Sequence, residues 1–243
     1  MTPPAIAAPS PNFDARVAPP DMIVLHYTGM ESGEAALARL VDPAAKVSAH
    51  YLIEEDGRLF ALVPEARRAW HAGVSSWHGE RDINGRSVGI ELVNPGHEFG
   101  YRQFPDAQIG TLLVLMEDIR SRWTIEDARI LGHSDVAPER KRDPGELFPW
   151  KTLAEAGHGL WVDPSPAPGP PLTIGDEGLG VMALRAALKR IGYDLPVGGD
   201  YDSAAATVVT AFQRHWAPAR VDGVADGDTR ARLMALARLV PPS

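Results

Sequence analysis

The sequence predicts an α/β fold in which a mixed central sheet is flanked by helices, followed by a small C-terminal domain of three helices. In the first two thirds of the chain, short apolar runs typical of buried strands alternate with helical periodicity. Only helical periodicity follows, and a proline-rich stretch separates the two patterns. A length of 243 residues suits one domain of about 150 residues and a smaller one.

Local signals define the elements of the first part. The run DMIVLHY is typical of a buried strand, and Ser32 begins a helix that ends before Asp42 and Pro43. In SAHYLIEEDGRLFALV, two strand-like runs surround Asp56 and Gly57, which predicts a hairpin. SVGIELVN and ARILGH are two further strands. The helix predicted between them has an apolar face formed by Leu112, Leu113, Leu115, Met116 and Ile119.

The last part of the chain reads as three helices after the stretch DPSPAPGPP, which has five prolines between residues 164 and 171. Gly192 ends the first helix, Ser203 caps the second, and the third follows Asp228. We therefore predict a first domain over residues 1–163, a linker over 164–171 and a helical domain over 172–243. Because the linker is proline-rich, we expect the first domain to fold without the helical one.

Composition and charge exclude several classes of protein. Twenty-four basic and 32 acidic residues give a net charge of −8, which disfavours binding to nucleic acid. The absence of cysteine excludes disulfide frameworks, thiolate metal sites and cysteine nucleophiles. No apolar run reaches the roughly 18 residues of a membrane helix, and the N-terminal stretch lacks the apolar core of a secretory signal. We expect a cytoplasmic monomer without a transmembrane segment, with a periplasmic location as the alternative.

Two of the eight histidines stand at strand ends beside turns: His26 in VLHYTG and His133 in LGHSDVAP. Loops that follow buried strands hold side chains rigidly at the surface of an α/β protein. Asp143 follows His133 closely, in the turn RKRDPG. Two imidazoles and one carboxylate would leave the fourth position of a tetrahedral zinc ion open for water, as a catalytic site requires. From these residues alone, each could instead be a hydrogen-bonded structural residue.

The strings VLHYTGM, SAHYLIEEDG, AWHAG, SVGIELVNPG and GHSDVAPERKRDPGELFPW occur in this order. Together they resemble the zinc-dependent N-acetylmuramoyl-L-alanine amidases of the AmpD/AmiD kind, over Ser10 to Trp161. The resemblance implies the type 2 amidase fold, which peptidoglycan recognition proteins share, and Zn²⁺ as cofactor. It also implies hydrolysis of the amide between N-acetylmuramic acid, or its anhydro form, and L-alanine in muropeptides or peptidoglycan, during turnover or recycling of the bacterial cell wall.

The resemblance further implies roles for individual residues. His26, His133 and Asp143 match the zinc ligands of the family. Glu91 matches its acid/base glutamate, and Lys141 matches the lysine beside the metal. Such a carboxylate can take a proton from water activated by zinc, and such a cation can stabilise the oxyanion. Without the resemblance, Glu91 would be a surface carboxylate at a strand edge and Lys141 a member of a solvated basic run.

Four residues match positions that line the substrate groove of the family: Tyr27, Trp70, His71 and Asn94. Sugars need an apolar platform and hydrogen-bonding groups, which an aromatic ring and an amide supply. Trp70 could equally belong to the core. His50 is expected to be structural or to support the ligands, because three protein ligands already complete a catalytic zinc site.

The helical segment resembles the peptidoglycan-binding domain often appended to cell-wall hydrolases. The motif AFQ at residues 211–213 and the DG-x-x-D turn before the last helix carry this resemblance. Ala187 stands where relatives commonly carry glutamine, which leaves a stabilising or interaction module as the alternative. For the whole chain, the alternatives to an amidase are a non-catalytic peptidoglycan receptor and a zinc peptidase that cuts within the stem peptide.

Overall fold

The computed structural model describes residues 4–240 of the chain. Its strands are β1 Ala5–Ala7, β2 Phe13–Ala15, β3 Met22–Tyr27, β4 Tyr51–Ile53, β5 Leu59–Ala61, β6 Arg67–Ala69, β7 Ser87–Leu92 and β8 Ile130–Gly132. Its α-helices are α1 Gly33–Val41, α2 Ile83–Arg86, α3 Gly96–Phe99, α4 Asp106–Arg122, α5 His133–Val136, α6 Trp150–Glu155, α7 Leu179–Ile191, α8 Ser203–Trp216 and α9 Gly227–Leu239. Residues 1–3 and 241–243, at the ends of the predicted domain ranges, lie outside this description. No helix within 4–240 is long and apolar enough to cross a lipid bilayer.

A six-stranded mixed sheet forms the centre of the molecule, with strand order β1-β5-β4-β7-β3-β8. Strands β4, β7, β3 and β8 run parallel to one another. Strand β5 is antiparallel to β4 through the predicted hairpin and parallel to β1. Strands β2 and β6 form a separate antiparallel pair. The predicted mixed sheet with flanking helices is therefore confirmed.

The central strand β3 contributes to two different apolar cores, because successive side chains of a strand point to opposite faces of the sheet. Ile23 and Leu25 belong to the cluster that includes the buried face of α4. Met22 and Val24 belong to a second cluster, which also contains the buried side chains of α7, α8 and α9. The C-terminal helices therefore complete the core on the second face of the sheet.

The three predicted C-terminal helices are present, and two of their caps differ from the prediction by one or two residues. Asp202, not Ser203, caps α8, and its carboxylate accepts a hydrogen bond from the backbone N–H of Ala205. Asp226, not Asp228, caps α9 in the same way. An aspartate in either cap accepts an N–H that has no partner inside the helix, so the residue that follows it starts the helix.

The helical segment does not stand apart from the sheet, and independent folding of the first domain stays a prediction. The linker has no regular secondary structure in residues 164–171, but Arg230 of α9 donates hydrogen bonds to the carbonyl oxygens of Pro168 and Gly169. The indole N–H of Trp216 donates to the carbonyl of Leu160 at 3.0 Å. The proline-rich composition correctly indicated an irregular segment, but composition carries no information on what packs across it.

Gly192 lies at the centre of this contact, where α7 ends against the indole ring of Trp77. Its φ of 139° is in the region that favours glycine. A Cβ atom on this residue would lie 2.3 Å from the Trp77 ring, whose side chain is completely buried. Tyr193, the next residue, packs edge-on against the same ring at a centroid distance of 5.0 Å.

We expect Gly192→Ala to destabilise the whole chain by about 1–3 kcal/mol, because a well-packed aromatic contact must open to admit one methyl group. The free energy of unfolding in urea measures the effect. Gly198→Ala is the matched control: Gly198 is exposed, and a Cβ atom there would meet no atom within 4 Å. Equal midpoints for the two variants would show that the contact between Gly192 and Trp77 does not limit the stability of the chain.

Candidate metal centre

Three neighbouring parallel strands bring the predicted catalytic side chains to one edge of the sheet. His26 lies near the end of β3, and Glu91 of β7 is its direct partner in the register. His133 follows β8, the neighbour of β3 on the other side. The carboxyl ends of parallel strands are where α/β folds form their sites. Asp143 lies in the loop that follows α5. Its backbone carbonyl accepts a hydrogen bond from the backbone N–H of Ser134 at 2.9 Å.

Three of these side chains converge on a single point. The Nδ1 atoms of His26 and His133 are 2.9 Å apart, and each lies 3.0 Å from Oδ2 of Asp143. All three side chains are buried. This arrangement brings together two nitrogens and one oxygen, each of which can donate a lone pair.

Hydrogen bonds at the far side of each ring decide where the imidazole protons lie. Nε2 of His133 is 3.0 Å from the carbonyl oxygen of Ala72. A carbonyl can only accept, so Nε2 carries the proton of the neutral ring. Nδ1 of His133 therefore presents a lone pair to Asp143.

A longer chain of hydrogen bonds fixes the proton of His26. The hydroxyl of Ser87 donates to the carbonyl of Ile83 at 2.6 Å, so it accepts from Nε2 of His71 at 3.2 Å. Nδ1 of His71 then has only a lone pair, and it accepts from Nε2 of His26 at 3.0 Å. As in His133, the Nδ1 atom of His26 has no proton.

The charges of the candidate ligands also favour a cation between them. Burial, and then the neighbouring His133, lower the pKa of His26 to about 4, so this imidazole is neutral at pH 7. Burial opposes ionisation of Asp143, but His133 and His26 outweigh it and lower the pKa of Asp143 well below its usual range. Two imidazole nitrogens and one carboxylate oxygen then face one another at 2.9 to 3.0 Å, and a divalent metal ion would bind all three. The donor set, two imidazoles and one carboxylate, fits a catalytic metal site with an open position.

Glu91 and Lys141 line the same cavity as the three candidate ligands. Oε2 of Glu91 is buried and has no hydrogen-bond partner within residues 4–240. Burial, and then Asp143, raise the pKa of Glu91 well above its usual range, while Lys141 opposes the shift. A divalent cation nearby would lower this pKa again, because it favours the charged carboxylate. The carboxyl group can therefore both accept and return a proton.

The cavity has a volume of about 730 Å³ and has Tyr27, Trp70 and His71 in its wall, three of the four residues predicted to line the groove. The hydroxyl of Tyr27 is 2.9 Å from Nδ1 of His97. The indole N–H of Trp70 donates to Asp14 at 2.7 Å, which holds the ring at the wall. Contact of these side chains with a substrate stays a prediction.

The structure does not bring Asn94, the fourth predicted groove residue, into the cavity. Its side chain is completely buried, donates to the carbonyl of Arg102 at 2.8 Å and accepts the backbone N–H of Gly96 at 3.0 Å. The amide therefore shapes the turn after β7. His50 is likewise buried in backbone hydrogen bonds, with Nδ1 accepting from the N–H of Gly89 at 2.9 Å, as expected for a structural residue.

Sequence reasoning missed a buried contact between the helical segment and α5, the short helix that begins at the candidate ligand His133. Asp135 lies in α5, two residues after His133, and is almost completely buried. Its carboxylate accepts hydrogen bonds at 2.7 Å from the hydroxyl of Tyr193 and from Nδ1 of His215. His215 itself is stacked between Trp150 and Trp216. No local signal could have shown this, because both partners of Asp135 lie far away in the sequence.

Comparison with known families agrees with the site. A model of the N-acetylmuramoyl-L-alanine amidase family matches residues 16–146, and a model of a putative peptidoglycan binding domain matches residues 177–233. The chain is 36% identical over 235 residues to the N-acetylmuramoyl-L-alanine amidase AmiD of Escherichia coli K12, which covers 88% of this chain and 81% of that protein.

A second relative resembles the first part only. The 1,6-anhydro-N-acetylmuramyl-L-alanine amidase AmpD of Citrobacter freundii is 35% identical over 161 residues, which is 58% of this chain and 84% of that protein. Among solved structures, the complex of AmiD from E. coli with anhydro-N-acetylmuramic acid-L-Ala-D-gamma-Glu-L-Lys superposes with a TM-score of 0.78 at 35% identity. This match covers 95% of the present chain and 94% of that one.

Proposed function

Because the chain belongs to the N-acetylmuramoyl-L-alanine amidase family, we propose that it is a zinc enzyme whose ligands are His26, His133 and Asp143. The reaction is hydrolysis of the amide between N-acetylmuramic acid, or its anhydro form, and L-alanine of the stem peptide. The observation that carries the zinc assignment is the convergence of three buried ligand atoms, two imidazole nitrogens and one carboxylate oxygen. A cytoplasmic location and a monomeric state stay predictions.

When bound, zinc supplies a Lewis acid and lowers the pKa of its water to about 7. The chain itself supplies the orientation of the ligands. His71 holds Nε2 of His26, and the carbonyl of Ala72 holds Nε2 of His133, so both rings present Nδ1. Outer hydrogen bonds of this kind fix the tautomer and the angle of a ligating ring.

Glu91 and Lys141 are proposed to act on the substrate. Glu91 lies beside His26 in the register, without a hydrogen bond to oppose proton transfer. It takes a proton from the attacking water and returns it to the departing amine of L-alanine. The ammonium group of Lys141 stabilises the negative charge that develops on the carbonyl oxygen.

Product analysis with the full-length protein tests this function. With anhydro-N-acetylmuramic acid-L-Ala-D-γ-Glu-L-Lys as substrate, we expect mass spectrometry to show free anhydro-N-acetylmuramic acid and the intact tripeptide. A chelator should stop the reaction, and about one equivalent of zinc per chain should restore it. Cleavage after L-alanine would instead identify a stem-peptide peptidase, and tight binding without any product would identify a receptor.

A further inference from the structure

We infer that Arg142 of the catalytic part and Arg214 of α8 form a cationic subsite for the α-carboxylate of the second stem-peptide residue. This inference rests on the proposed amidase function and deepens it, because it assigns to the helical segment a direct contact with the substrate. It would make the last 72 residues a determinant of peptide specificity.

The subsite is a second cavity, of about 280 Å³, which adjoins the metal cavity. Residues 140–142 line both cavities, so a ligand can extend from one into the other. The side chains that line the second cavity include four cations and one acid. These are Arg140, Lys141, Arg142, Arg214 and Glu139. Its charge therefore favours an anion.

The two arginines of the proposed subsite have unused hydrogen-bond donors. Arg142 is exposed and makes no side-chain hydrogen bond or ion pair with residues 4–240. The side chain of Arg214 is only 14% exposed, and its Nε has no hydrogen-bond partner in the described part of the chain. Glu146 forms an ion pair with Arg214, but its carboxylate oxygen lies 3.8 Å from that nitrogen, beyond hydrogen-bond distance. Burying a guanidinium with an unused N–H costs free energy, unless a ligand accepts a hydrogen bond from it.

The other basic residues of the cavity are less suited to this role. Arg140 donates its side-chain N–H groups to the carbonyl oxygens of Ala72 and Val74. Lys141 is assigned to the reaction itself. Arg142 directly precedes the candidate ligand Asp143 and lines both cavities, and Arg214 lines the second one with it. An anion in the second cavity would therefore lie beside the candidate metal centre.

The chemistry of the substrate identifies the anion. The peptide of the AmiD complex contains a γ-linked D-glutamate after L-alanine. Because the γ-carboxyl forms the peptide bond, the α-carboxylate of this residue is free. It is the first negative charge beyond the amide that the enzyme cuts. Guanidinium groups bind carboxylates through paired, charge-assisted hydrogen bonds.

Two substrates that differ in one group test the subsite: anhydro-N-acetylmuramic acid-L-Ala-D-γ-Glu-L-Lys and the same compound with D-isoglutamine in place of the glutamate, whose α-carboxylate is then an amide. We expect the full-length enzyme to prefer the carboxylate by about 10- to 100-fold in kcat/KM, mainly through KM. Arg142→Gln and Arg214→Gln should each bring that ratio towards one. Arg58→Gln is the matched control, because Arg58 is an exposed arginine that pairs with Asp56 and lines neither cavity.

The outcomes separate this inference from the amidase function. Cleavage of both substrates with equal kcat/KM, or a preference that survives both substitutions, would overturn the subsite and leave the amidase intact. If neither substrate is cleaved, the amidase function fails instead. Calorimetric binding of the two compounds to full-length Glu91→Gln then decides the subsite without turnover. Because Arg142 is exposed, its variant tests the subsite even if Arg214→Gln fails to fold.

Discussion

Replacing His133 by alanine is expected to abolish hydrolysis and to lower the zinc content from about one per chain to almost none. The remaining His26 and Asp143 supply only two ligand atoms. The third ligand, the His133 imidazole that the carbonyl of Ala72 orients, is lost. Elemental analysis of the purified protein measures the zinc content, and release of the tripeptide measures activity.

His78→Asn is the control for this experiment. His78 is a histidine outside the metal cavity, and asparagine tolerates its positive φ of 49°. It should retain zinc and activity. Circular dichroism of His133→Ala shows whether the fold survives the loss of one buried hydrogen bond. Full turnover by a folded, zinc-free variant would refute the assignment of the metal centre.

Replacing Glu91 by glutamine is expected to lower kcat by about 10²- to 10⁴-fold while zinc stays bound, the range for loss of a general base. Glutamine has the same shape but cannot take a proton. It should not weaken the fold, because Oε2 of Glu91 makes no hydrogen bond that would be lost. The rise in the pKa of Glu91 means that ionisation favours the unfolded chain above pH 4.5 in metal-free protein, so the variant should unfold at the same or a higher temperature.

Glu117→Gln provides the comparison for the glutamate experiment. Its side chain is 79% exposed on α4 and lines neither cavity. Its rate and zinc content should match those of the unaltered protein. A rate close to normal for Glu91→Gln would remove Glu91 from the reaction and would point to another proton acceptor in the cavity.

The three candidate metal ligands could be located from the sequence because they lie beside strong local signals, and the family resemblance supplied their roles. His26 and His133 end apolar runs, and Asp143 stands in a turn of proline and glycine. The proton positions could not be predicted, since they depend on contacts such as that of His71 with Ser87, between separate elements. For the same reason, the motif around Asn94 predicted a groove residue, whereas the side-chain amide of Asn94 is hydrogen-bonded to backbone groups.

The packing of the helical segment could not be predicted from the sequence either. Periodicity predicted α7, α8 and α9, but it could not show which face of the sheet they cover. Charge balance and the proline-rich stretch suggested two independent units. The shared core and the hydrogen bonds of Asp135 depend on side chains that are far apart in the chain, and composition contains no record of such pairs.

The core that β3 shares with the C-terminal helices also affects the order in which this protein can mature on the ribosome. Met22, Val24 and Trp77 are synthesised early, whereas α7, α8 and α9, which complete their cluster, follow more than 100 residues later. At about 5 to 20 residues per second, the stretch from Trp77 to the end of α9 at Leu239 takes roughly 8 to 32 s to make. During that interval the apolar side chains that these helices cover have no partner, so we expect the incomplete chain to be more prone to aggregation than the finished one.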